Sequence, residues 1–170
     1  MLRTNIYFNL FNELLTKAET LYGQRDRSYT IHNIVMSNED QPGINLIDKR
    51  TVTISLGKDC IRPTTDITRY QLSHEIIHCL QPNKQQNVTF LEEGLAVYYS
   101  LQCSSNIRIS SLKYKIAYDL VNELLAYDNE LIKKARMYES NLSRLTQTIL
   151  LNVCHNIPIY LISELTKKFY

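Results

Sequence analysis

The chain has 170 residues, 44% of them hydrophobic and 21% charged, with a formal net charge of +2. That length suits one domain with a real core, and the balance is that of an ordinary globular protein. The weak charge, carried by scattered Lys and Arg without interleaved aromatics, speaks against a nucleic-acid partner, and no run approaches the roughly 18 apolar residues of a membrane span.

Residues 5–22 place Tyr7, Leu10, Phe11, Leu14, Ala18 and Leu21 at helical spacing, and Gly23 ends that helix. Asn and Glu interrupt the same stretch, so it does not read as a secretory signal. A cytoplasmic protein is expected, with signal-independent export left open. Residues 29–36 read as a strand that carries His32, a surface or core histidine. Asp40–Gly43 is a turn, and Ile44–Ile47 a short strand. Thr51–Leu56 alternates strictly, with Val52, Ile54 and Leu56 on one face of a half-buried strand.

Asp66–Leu80 reads as one helix, with Thr65 or Asp66 as N-cap and Pro82 just beyond its end. Leu72, Ile76, Cys79 and Leu80 bury one side of it, while Ile67, Gln71, His74 and His78 line another. After residue 103 strand signals stop. Leu112–Leu125, Leu131–Tyr138, Leu142–Val153 and Pro158–Phe169 all show helical spacing, with Pro158 in the first turn of the last. The pairs Lys133–Lys134 and Lys167–Lys168 fit solvated helix faces. The expected fold is α+β and helix-dominant: an N-terminal helix, a small mainly antiparallel sheet, two site-bearing helices, then a helical lobe. One domain is expected, with residues 1–103 forming the sheet and the site helices and 104–170 the lobe. Cys60, Cys79, Cys103 and Cys154 lack paired-ligand spacing and fit free thiols in a reducing compartment, Cys79 as part of the core.

The chemistry is concentrated in His74-Glu75-Ile76-Ile77-His78 and in Leu91-Glu92-Glu93-Gly94-Leu95-Ala96. On a helix, His74 and His78 lie one turn apart on one face and can share a tetrahedral metal, each nitrogen about 2.0–2.1 Å away. Glu75, about 100° further round, is placed to take a proton from water at the metal's open position. An acidic residue on the next helix supplies the third ligand. Thr89 and Glu92 fit a capping box, with Glu92 reaching back to the Thr89 amide, which frees Glu93 to face the histidines. Gly94 and Ala96 allow a close helix approach.

These two motifs together resemble the gluzincin metallopeptidases, above all the aminopeptidase-like members with a Leu-x-Glu-Gly-x-Ala run. The resemblance covers roughly residues 50–100. It implies a zincin-like fold, zinc held by His74, His78 and Glu93, and Glu75 as general base and acid. It also implies that Thr51–Leu56 runs along the cleft rim and pairs with extended substrate. Many members carry a carboxylate one turn after the glutamate ligand, where this chain has Val97, so a histidine here needs another partner, such as a backbone carbonyl. An oxyanion-stabilising Tyr or His is expected from residues 98–160, with His155 ranked first, then Tyr160 and Tyr138; Tyr98, Tyr99, Tyr114 and Tyr118 complete the set. The expected activity is hydrolysis of a peptide or protein substrate by an endopeptidase, since nothing marks recognition of a free amino terminus. A regulatory metalloprotease of the repressor-cleaving type and a non-catalytic, zinc-stabilised binding module are the alternatives. The sequence sets no oligomeric state.

Overall fold

The first helix, α1 (Leu2–Tyr22), buries Tyr7, Leu10, Phe11, Leu14 and Ala18 in the computed structural model, which describes residues 2–38, 41–60, 62–83 and 85–170. Leu21, expected on the same face, is 42% exposed; Leu15 and Tyr22 are buried in its place. The helix stops at Gly23, whose φ of +94° lets its amide donate to Glu19 O at 2.9 Å. A side chain there would be strained, which is why glycine ends so many helices.

The chain then forms β1 (Thr30–Met36), β2 (Gly43–Leu46) and β3 (Thr51–Leu56). Asp40 of the expected turn lies outside the described residues. The sheet order is β1-β3-β2, with β1 parallel and β2 antiparallel to β3. The sheet is thus mixed, because β2 runs opposite to both neighbours in sequence: the chain reverses before it and again at the β2–β3 hairpin, so β1 and β3 run the same way. His32 is exposed at a register shift between Ile31 and Asn33 and takes no part in the site. Val52, Ile54 and Leu56 are fully buried, as the alternation of β3 requires. Burial of each contributes about 1.5–3 kcal/mol relative to exposure. β3 pairs on both edges, however, so it cannot pair with substrate at the cleft rim. That position belongs to β2, whose outer edge makes no strand pairing among the described residues.

α2 (Asp66–Leu80) begins at Thr65, whose Oγ1 accepts a bond from the Thr68 amide at 3.3 Å, and ends before an extended Gln81 and Pro82. Leu72, Ile76, Cys79 and Leu80 are fully buried, so Cys79 is a core residue. α2 packs against α1 and against α3 (Phe90–Cys103), which is capped by Thr89. α3 in turn packs closely on α4 (Leu112–Tyr127). The remaining helices are shorter than their periodicity suggests: α5 (Leu131–Ala135), α6 (Gln147–Val153) and α7 (Ile159–Leu165). The run from Leu142 divides because Thr146 caps a new helix after a tight turn at Leu142–Arg144.

Two devices tie the helical lobe to the rest. Buried Arg136 donates to the carbonyls of Tyr22, Gly23, Gln24 and Ser140, at 2.8 to 3.0 Å, placing a cation at the C-terminus of α1. After α7 the chain runs antiparallel to residues 88–90: Phe169 N donates to Val88 O at 2.8 Å and Phe90 N to Lys167 O at 3.0 Å. The described residues form an α+β, helix-dominant fold around one apolar core that reaches from α1 to α7.

Gly94 lies on the α3–α4 contact rather than the α2–α3 contact. A Cβ there would stand 2.2 Å from Ala117 O and 2.6 Å from Val121 Cγ2. Gly94→Ala should therefore lower stability by about 1–3 kcal/mol or more, through forced separation of two helices. An unchanged urea midpoint would show that these helices do not approach so closely.

Candidate metal centre

His74 and His78 lie one turn apart on α2, and their Nε2 atoms are 3.3 Å apart. Glu93, in the first turn of α3, brings Oε2 to 3.3 Å from His74 Nε2 and Oε1 to 3.7 Å from His78 Nε2. One donor atom from each of the three falls within 4.8 Å of the others, so this group could hold a metal ion. The fit is more than proximity. Glu93 Oε2 is buried and has no hydrogen-bond partner among the described residues. A buried carboxylate oxygen left without a partner is costly, and a shared cation would satisfy it together with two imidazole lone pairs.

Glu93 Oε1 is held from the other side. Tyr170 OH donates to it at 3.1 Å, and the Tyr114 hydroxyl lies 3.0 Å from that of Tyr170. Since the Tyr170 proton is committed to Glu93, Tyr114 is the donor of that second bond. Tyr170 reaches the site because the strand-like pairing with residues 88–90 delivers it there, and Phe169, stacked edge-on with Phe90 at 5.0 Å, anchors the turn. Tyr114 stands on the first turn of α4, which the bare Cα of Gly94 lets in close.

Glu92 does only half of what a capping box would ask. The Thr89 hydroxyl accepts from the Glu92 amide at 3.4 Å, but the Thr89 amide donates to Ser143 Oγ, not to Glu92. The Glu92 carboxylate instead accepts from His78 Nδ1 at 2.8 Å and, through its second oxygen, a short bond from Ser143 Oγ. Glu92 is thus the other partner that a histidine needs in place of a carboxylate at Val97, where a backbone carbonyl was one expectation. With Nδ1 donating to Glu92, the Nε2 side of His78 faces Glu93 and His74, so that exchange of the Nε2 proton for a metal leaves the ring in the tautomer a metal needs.

Electrostatics follow from this crowding. Burial alone would push the His78 pKa down, but Glu93, Glu92 and Glu75 overcome it and hold the group near about 10. Burial would raise Glu93, yet His78, His74 and the Tyr170 hydroxyl bring it down to about 2. Glu75 is raised above the usual carboxylate range, first by burial, with partial relief from the two histidines. Its carboxylate makes no side-chain hydrogen bond among the described residues and lines the same cleft as His74, His78 and Glu93. The cleft has a volume of about 710 Å³ and opens between Gly43–Asn45 of β2 and residues 107–111, which lead from α3 to α4.

The expected oxyanion donors are not here. His155 is exposed, Tyr160 is 58% exposed and bonded to Glu123, and Tyr138 is 73% exposed; none lines the cleft. Helical spacing placed them on a lobe whose inner face is filled by Leu161, Ile162 and Leu165 instead. Tyr114 belonged to the wider set; Tyr170, Ser143 and the role of Glu92 did not. For Tyr170 the only signal was the aromatic pair Phe169-Tyr170 just past a helix end. Among protein families, curated proteins and solved structures, none matches this chain.

Replacing Glu92 by Gln should weaken metal binding about 10–100-fold, since the carboxylate that fixes His78 is lost while the ligand atoms remain. Competition against a fluorescent chelator reads this directly. Affinity equal to the wild type would remove Glu92 from the site.

Proposed function

We propose that the chain is a small zinc-dependent peptidase that hydrolyses peptide bonds with Glu75 as general base. The observation that carries this reading is the meeting of His74 Nε2, His78 Nε2 and Glu93 on one point beside an unbonded carboxylate, at the floor of an open cleft. Ligands about 2.0–2.1 Å from a tetrahedral ion are roughly 3.3 Å from one another. Two of the pairs here are spaced at 3.3 Å. Two imidazoles and one carboxylate, with cleft on the remaining side, are the donor set of a hydrolytic rather than a structural zinc site. The likeness to gluzincins rests on the same residues.

A zinc ion held there would supply Lewis acidity, polarising a carbonyl and easing the loss of a proton from water. Glu75, raised in pKa and without a side-chain hydrogen bond among the described residues, accepts the proton of the attacking water and delivers it to the leaving amide nitrogen. Glu92 and Ser143 keep His78 in the tautomer that leaves Nε2 available. The Tyr114 hydroxyl, released from Tyr170, is the donor that can turn to a developing oxyanion. Substrate lies extended along the outer edge of β2, which makes no strand pairing among the described residues and whose residues Gly43–Asn45 line the cleft.

Glu75→Gln should keep zinc and fold while slowing peptide hydrolysis by at least about 10²-fold. Full activity in that variant, with zinc content verified, would sink the mechanism. Zinc without turnover in either protein would favour the binding-module reading. Tyr114→Phe should lower kcat by about 10²-fold with little change in KM, the pattern of a donor used only in the transition state. A change confined to KM would place Tyr114 in ground-state binding instead.

A further inference from the structure

The segment that joins α3 to α4 turns sharply at Asn106, whose φ of +58° is left-handed, a conformation Asn tolerates better than most residues. It then passes along the cleft without regular secondary structure. Backbone groups of residues 105–110 make no backbone hydrogen bond among the described residues. Ile107 and Ile109 are half-buried, and Arg108 and Ser110 between and after them are exposed. All four line the cleft that holds His74, Glu75 and His78. This segment is therefore a wall of the site, with its apolar residues half-buried and Arg108 and Ser110 exposed to whatever enters.

Arg108 is unlike every other residue of that lining. It is the one Lys or Arg among the described residues that line the cleft. Its side chain forms no hydrogen bond, ion pair or ring contact among them, a state it shares with those of exposed Lys49, Arg62 and Arg144, none of which lines the cleft. The carboxylates of the cleft are Glu75, Glu92 and Glu93, all buried on its floor. Among the described residues the rest of its polar lining, the two histidines apart, is uncharged, through Gln41, Asn45, Ser55 and Ser110. A guanidinium without a partner over a neutral wall offers a planar fork for a carboxylate.

We propose that Arg108 is a specificity residue that selects peptides bearing a carboxylate, held away from the metal point against the α3–α4 wall. The proposal rests on the peptidase reading and names its substrate class. A carboxylate that reached the metal point instead would keep its preference without Arg108, so the variants at Arg108 separate the two placements. The carboxylate can belong to an acidic side chain or to the peptide's own terminus; the chemistry at Arg108 is the same.

The test is binding by zinc-loaded Glu75→Gln protein, which does not consume its ligand. Short fluorescein-labelled Ala/Gln peptides carry one Asp, or Asn as the neutral counterpart, at each position in turn, with free or amidated carboxyl termini. Carboxylate-bearing peptides should bind about tenfold more tightly than their neutral counterparts, and less so as salt rises. The Asp and terminal arms show which carboxylate is read. Adding Arg108→Gln should equalise the affinities, and adding Arg108→Glu should reverse the preference towards peptides with Lys. Equal affinities with Arg108 in place, or a preference that survives Arg108→Gln, overturn the proposal and leave the peptidase reading standing. Binding of no peptide of any kind would overturn both.

Discussion

Where α2 crosses α3, carboxylates and imidazoles are buried together, and the rest of the structure is arranged around that charge. Glu75, Glu92, Glu93 and His78 are each less than one-tenth exposed. Burying so many negative groups side by side is tolerable only with positive charge at the same spot. The chain provides two ways to supply it: a proton on His78, which its neighbours hold on well above the usual imidazole range, or a metal ion between the three donors. Removing one partner of such a buried set costs about 3–5 kcal/mol. Stability and chemistry are thus bound to the same few residues.

Adjacent glutamates divide the work. Separated by about 100° around α3, Glu92 and Glu93 approach opposite nitrogens of the same imidazole, Glu92 at Nδ1 and Glu93 on the Nε2 side. Each is steadied by a residue from the C-terminal lobe: Ser143 for Glu92, Tyr170 for Glu93. The lobe is therefore no mere cover for the helices. It supplies hydroxyls that fix both carboxylates, and its last residues reach them through backbone pairing with the start of α3. Gly94 extends the same logic to α4, bringing in Tyr114 where a side chain would hold the helix away.

Much of this was legible in the sequence because it depends on local rules. A Thr cap and a downstream Pro bound α2 residue for residue, and strict alternation bound β3. The i, i+4 histidines share a face by helix geometry alone, and the adjacency of the two glutamates ensured that one would face them. What depended on long-range pairing was hidden. Strand order decides whether β3 or β2 is the edge, and no residue within β3 reveals it. The partner of His78 was missed because capping-box spacing gave Glu92 a local task, whereas Ser143, far along the chain, takes the Thr89 amide and leaves the carboxylate free for the histidine. Tyr170 and Tyr114 converge only after the C-terminal segment has folded back, so His155, Tyr160 and Tyr138, ranked by position, were displaced.

The most direct measurement is zinc stoichiometry after equilibrium dialysis, for the wild type beside His74→Ala, with circular dichroism of both. The account predicts about one zinc per wild-type chain, none in His74→Ala at the same free zinc, and matching spectra from the two. Equal zinc in both proteins, or none in the wild type, would contradict the claim that His74, His78 and Glu93 form a metal centre.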